Sequence, residues 1–146
     1  MNRLIAMTVA LGVLVWIPVA SADDVMDVNA LIRETKARVP KIETDALARM
    51  IEADEEFVLL DVRMPEEIVR MGKIPARQQV EIPRGWLEMR IFNQVVDRDT
   101  PIVAYCGAGI RSAFAVETLQ ELGFTDVRNY EEGLIGWSRK GNPVEH

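Results

Sequence analysis

Hydrophobic positions along this chain fall into two kinds of grouping. Some are short continuous runs, and others are longer stretches in which apolar side chains recur every three or four positions. Phe57-Val58-Leu59-Leu60-Asp61-Val62-Arg63 and Thr100-Pro101-Ile102-Val103-Ala104 are runs of the first kind and predict buried strands. Gln79-Val80-Glu81-Ile82-Pro83 alternates instead, and Pro83 predicts a place near a sheet edge. Asp126 to Tyr130 predicts one more short strand. Between them, Thr44 can cap a helix running through about Ala53, with Leu47, Met50 and Ile51 on one face. Pro65-Glu66-Glu67 opens a short helix, and Gly72-Lys73-Ile74-Pro75 makes a turn. Trp86, Leu87, Ile91, Val95 and Val96 predict a helix over 86–96, followed by a polar turn at 97–100. Ala113, Phe114, Val116, Leu119 and Leu122 predict a helix from Ser112 to Leu122 that Gly123 ends. Gly133 begins a last helix through Trp137, and Gly141-Asn142-Pro143 stops it. Strands alternating with helices predict an α/β domain with a mostly parallel sheet.

The first 22 residues stand apart from this pattern. Arg3 lies in a short positive start, 4–17 is almost wholly apolar, and Ala20-Ser21-Ala22 offers the small residues of a cleavage site. That predicts a signal peptide over 1–22 and export, in a bacterium to the periplasm. The competing reading, an uncleaved anchor, needs an apolar span nearer to about 20 residues. Val25, Val28, Leu31 and Ile32 among charges then predict a helical extension over 23–41. It would pack on the edge of the main domain at 42–146 or serve as a docking segment.

The chemistry concentrates in Tyr105-Cys106-Gly107-Ala108-Gly109-Ile110-Arg111-Ser112. Cys106 is the chain's one cysteine, and it falls where a strand ends and a helix begins. A glycine-rich loop opening a helix can turn several peptide N–H groups on one anion, and such a setting favours thiolate over thiol. A free cysteine can equally be inert core filler. The carboxyl end of a strand in an open α/β sheet is where ligands collect, and that favours a nucleophile. Arg111 sits badly at a helix N-terminus unless an anion is close.

Composition narrows the partners. The net charge is −6, and removal of 1–22 would leave 16 basic against 23 acidic side chains, or −7. That argues against nucleic acid as a partner and predicts no general attraction to anionic membranes. A single cysteine excludes an internal disulfide, and an unpaired thiol in an oxidising compartment calls for a reason. The only histidine, His146, is the last residue, so neither a histidine metal site nor a Cys–His dyad is expected. No cofactor is expected.

From about Ile42 to Val144 the chain resembles a single rhodanese (sulfurtransferase) domain. The pieces that carry the resemblance are Leu59-Leu60-Asp61-Val62-Arg63 with Pro65-Glu66-Glu67, Gly72-x-Ile74-Pro75 with Ile82-Pro83, the cysteine loop, and Gly133 through Trp137 to Gly141-x-Pro143-Val144. Lys73 and Ala76-Arg77 depart from the family pattern in a connecting loop, which bears on substrate fit. The resemblance implies a rhodanese-like three-layer fold and a two-step transfer through a Cys106 persulfide. A small anionic sulfur donor such as thiosulfate would supply the sulfur, and cyanide, a thiol or a protein would accept it. It implies that Gly107, Ala108, Gly109, Ile110 and Arg111 bind the substrate, while Asp61, Arg63 and Ser112 are structural neighbours of the site. A persulfide-carrying module serving a protein partner is the alternative. A cysteine phosphatase of similar fold would have one more residue between Cys106 and Arg111.

Overall fold

A computed structural model describes residues 27–146. The signal peptide expected over 1–22 lies outside them, as do the first residues of the helical extension. The apolar runs form strands buried on both faces because their side chains alternate between two cores. Val58 and Leu60 of β2 (Val58–Asp61) and Ile102 and Ala104 of β4 (Ile102–Tyr105) face one core. Leu59, Val103 and Tyr105 face the other. With β1 (Lys41–Ile42), β3 (Gln79–Glu81) and β5 (Val127–Tyr130), the described strands make one sheet in the order β1-β5-β4-β2-β3. Every pairing is parallel, and runs that are apolar throughout suit parallel strands covered on both faces. β3 is an outer strand, where the proline after it removes no ladder bond.

Helices cover both faces. α4 (Leu87–Gln94) and α5 (Ile110–Glu121) close the first core with Leu87, Ile91, Ala113, Val116 and Leu119. α2 (Thr44–Glu52) and α6 (Gly133–Arg139) close the second with Leu47, Leu134 and Trp137. The Trp137 indole N–H also donates to the Pro143 carbonyl at 2.7 Å, which ties the C-terminal segment to α6. α3 (Pro65–Met71) follows β2 and buries no residue fully. α1 (Val28–Arg38), capped by Asp27, lies against α5, where Arg38 donates to Glu117 at 2.5 Å.

Several expected boundaries move. Thr44 is the first helical residue of α2 rather than its cap, because its hydroxyl is committed to the buried Tyr130 phenol at 2.8 Å. α5 starts two residues early, at Ile110, and α4 stops at Gln94 after a 3₁₀ turn at Arg84–Trp86. β2 ends at Asp61 because Arg63 turns inward to meet it. β1 is only two residues long and was not expected; it adds to the sheet beyond β5.

Candidate active site

β4 runs in the middle of the sheet, with β5 on one side and β2 on the other, and its carboxyl end leads directly into Cys106. The thiol lies at the floor of a depression of about 390 Å³ walled by Glu67, Met71, Ile135 and the loop from Gly107 to Arg111. Cys106 is itself only 2% exposed. A larger depression of about 730 Å³ opens at the other, amino end of the strands. It is lined by Glu55, Glu56, Asp97 and Asp99 against a single Arg77, holds no nucleophile and would repel an anion.

Two glycines allow the loop its shape. Gly109 has φ +76°, and a Cβ there would stand 2.0 Å from the Glu131 carbonyl oxygen. Gly133, φ +59°, sits under the loop, and a Cβ there would come within 2.6 Å of the carbonyl oxygens of Cys106 and Gly107. Gly107 is under no such demand, since its nearest neighbour would be an Arg111 nitrogen at 3.8 Å. Gly109→Ala is therefore expected to destabilise the domain by at least about 2 kcal/mol, from left-handed backbone strain plus the collision. An unchanged urea midpoint would contradict this reading of the turn.

The close approach at Gly133 lets the start of α6 occupy the loop's carbonyls. The N–H of Leu134 donates to Cys106 O at 2.9 Å, and that of Ile135 to Gly107 O at 3.0 Å. The buried Asn129 side chain, from β5, donates to Gly109 O at 3.2 Å. With these carbonyls held from outside, peptide N–H groups are left to face the sulfur. Burial pushes the Cys106 thiol up, but the N–H and hydroxyl of Ser112, the N–H of Ala108 and the charge of Arg111 outweigh it, and the net shift is downward. The Ser112 hydroxyl lies 3.6 Å from Sγ. Alkylation of Cys106 should accordingly reach half its maximal rate below the pH typical of a free thiol, about 8.5. A midpoint at or above that value would show that burial dominates.

Arg111 lines the pocket and has found its anion within the protein. Its Nη1 and Nη2 donate to the two Glu67 oxygens at 2.6 and 2.7 Å. Glu67 also accepts the Met64 N–H at 3.0 Å, closing the first turn of α3. The Arg111 bonds hold its carboxyl down at about 2, so Glu67 is an anion at any working pH. Nothing in the local pattern around Pro65-Glu66-Glu67 distinguishes this residue from an ordinary first-turn acid.

Asp61 and Arg63 stand outside the pocket. The Arg63 guanidinium is fully buried, with Nε 2.9 and 3.0 Å from the two Asp61 oxygens and Nη2 2.5 Å from one of them. Nη2 also donates to Gly72 O at 2.9 Å, and the guanidinium lies 5.4 Å over the Tyr105 ring. The pair braces the turn after α3 against β4. Lys73 is occupied nearby, with its backbone bridging Glu145 and its ammonium 3.0 Å from Glu81. Ala76 packs on the second core, and Arg77 reaches Asp54 at 3.4 Å. None of these three departures from the family pattern walls the cysteine pocket.

Fold and site together define a parallel α/β domain whose central strand delivers one cysteine, its thiol shifted downward, into a loop of backbone amides. The sequence pattern of the rhodanese-like domain matches residues 43–140, and the chain belongs to the rhodanese-like sulfurtransferase family. It is 33% identical over 106 residues to a sulfurtransferase of Allochromatium vinosum, covering 73% of this chain and 94% of that one. It is 38% identical over 105 residues to YtwF of Bacillus subtilis, covering 72% and 96%. Among solved structures, the polysulfide-sulfur transferase homodimer of Wolinella succinogenes superposes with a TM-score of 0.70 at 29% identity, over 80% of this chain and 85% of that one. A Rhodopseudomonas palustris protein of unknown function, described as a possible tyrosine phosphatase, superposes with a TM-score of 0.69 at 29% identity. That match covers 89% of this chain and 100% of the other.

Proposed function

We propose that this protein moves a sulfane sulfur from an anionic donor such as thiosulfate, through a persulfide on Cys106, to cyanide or a thiol, and that it does so after export to the periplasm. The observation that carries the reading is the lowered Cys106 thiol at the floor of an amide cradle. In the first step the thiolate attacks the outer sulfur of thiosulfate. The S–S bond breaks, sulfite leaves with the electron pair, and the Cys106 persulfide anion remains. In the second step cyanide attacks the outer persulfide sulfur, forming thiocyanate and returning the thiolate. Splitting the transfer in two lets one nucleophile serve both halves. The N–H groups of Ala108 and Ser112 stabilise negative charge on sulfur throughout. A thiolate needs no general base to act as nucleophile, and no histidine lines the cysteine pocket among the described residues.

The likeness to a protein described as a possible phosphatase raises a rival use of the same cysteine. Two features weigh against it. Four residues separate Cys106 from Arg111, which makes a tight cradle matched to one sulfur atom rather than to a tetrahedral phosphate. The carboxylate that does wall the pocket, Glu67, is held ionised by Arg111 and cannot protonate a leaving group. Thiosulfate:cyanide turnover and aryl phosphate hydrolysis, run on one preparation, separate the readings. Thiocyanate without phosphate release is expected, and Cys106-dependent phosphate release without thiocyanate would overturn the proposal. Activity only in the presence of a second protein would favour a persulfide carrier.

A further inference from the structure

α4 carries more apolar surface than the core beneath it uses. Leu87, Ile91 and Val95, four positions apart, are buried against the first core. Trp86, Met89, Phe92 and Val96 make a second stripe at steps of three and four, from the 3₁₀ turn to just past the helix end, and all four are exposed. At 47, 65, 36 and 79% exposure they offer on the order of 400 Å². A standard protein interface buries about 800 Å² on each partner, of which about 57%, or roughly 450 Å², is apolar. The stripe therefore supplies nearly all the apolar area that one side of a stable interface uses. Two arginines extend it rather than interrupt it. The Arg90 guanidinium lies 4.5 Å over the Trp86 ring, and that of Arg98 lies 5.0 Å over Phe92.

The charges along the stripe select the partner. Arg84 is neutralised by Glu88 at 2.9 Å, and Arg98 is committed to the Leu122 carbonyl at 3.0 Å. That leaves Arg90 towards the amino end of the stripe and Asp97 at its carboxyl end. Neither has an oppositely charged partner among the described residues. A face that is positive at one end and negative at the other complements itself when turned about a two-fold axis. A chain of net charge −6 repels its own copies in general, so contact between them needs such a local match. We infer that this face binds a second copy of the chain. Two α4 helices pack antiparallel about a two-fold axis, with the Trp86 end of each stripe on the Val96 end of the other and Arg90 of each copy beside Asp97 of its neighbour. This pairing goes beyond sulfur transfer at Cys106 and does not depend on it.

Sedimentation velocity of the purified protein over a dilution series tests this. The mass of two chains is expected, with half-dissociation at about 1 μM or lower. Met89→Glu sets a carboxylate in the middle of each stripe, at a side chain that belongs to neither core. It should weaken association by about a hundredfold or more, with circular dichroism unchanged. Should that variant fail to fold, a charge swap decides. Arg90→Asp and Asp97→Arg should each weaken association about tenfold or more, because each sets like charges together twice across the axis. The double variant should return to within about threefold of the wild type, a recovery that requires a partner carrying the same two changes. A protein that stays monomeric throughout overturns the inference, as does a dimer indifferent to Met89→Glu and to both single charge changes. A double variant no tighter than the single ones overturns the antiparallel pairing and with it the choice of a second copy. A monomer that floats with phosphatidylglycerol vesicles, and loses them in Met89→Glu, would give the stripe to a membrane and overturn the inference as well.

Discussion

Cys106→Ser is expected to lose thiosulfate:cyanide sulfur transfer by a factor of about a thousand or more, with the fold intact. Cys106 is the only thiol in the chain, so no second nucleophile can substitute for it. Serine is close in size, and the Ser112 hydroxyl beside Sγ offers the new hydroxyl a partner, so the stability change should stay within about 1 kcal/mol. A serine hydroxyl is un-ionised at neutral pH, and an amide cradle that depresses a thiol falls far short of ionising an alcohol. Far-ultraviolet circular dichroism and a urea midpoint should match the wild type while thiocyanate formation vanishes. Retained turnover in a folded Cys106→Ser protein would eliminate covalent catalysis through this residue.

Arg63→Ala should destabilise the domain by about 3–5 kcal/mol, the usual cost of removing one partner from a buried ion pair. The loss is large because Arg63 does several things at once. It neutralises Asp61, which is 2% exposed, it satisfies the Gly72 carbonyl and it covers the Tyr105 ring. Its removal leaves a carboxylate in the interior with its charge unmatched. A domain with about 5–15 kcal/mol in hand loses much of its margin. Removing Asp61 as well should cost less than the sum of the single changes, because each single variant strands the other's charge. Whatever fraction remains folded should still load sulfur on Cys106, since neither residue walls the pocket. A shift below about 1 kcal/mol in the urea-derived stability would show that water reaches Asp61.

What was legible in the sequence was local. The run before Cys106, the glycines after it and the amphipathic helix beyond lie within some twenty consecutive residues, and each names its own backbone conformation. A cysteine cradle could thus be placed at a strand's carboxyl end before any contact was known. The supports of that cradle were hidden by distance along the chain. Glu67 meets Arg111 from 44 positions away, and Asn129 reaches Gly109 O from 20. Gly133 announces a helix start in the sequence, yet its importance lies in the approach to the Cys106 and Gly107 carbonyls. β1 escaped because two residues carry no periodicity. Thr44 misled because its hydroxyl faces Tyr130, a tertiary contact that overrides a local capping preference.

The central claim is that Cys106 carries sulfur between two substrates, and intact mass of the purified protein tests it most directly. After exposure to thiosulfate and removal of excess donor, the wild type should gain the mass of one sulfur atom, whereas Cys106→Ser should gain none. Cyanide should then return the wild type to its starting mass with release of an equal amount of thiocyanate. An unchanged wild-type mass, or a gain that persists in Cys106→Ser, would contradict the account.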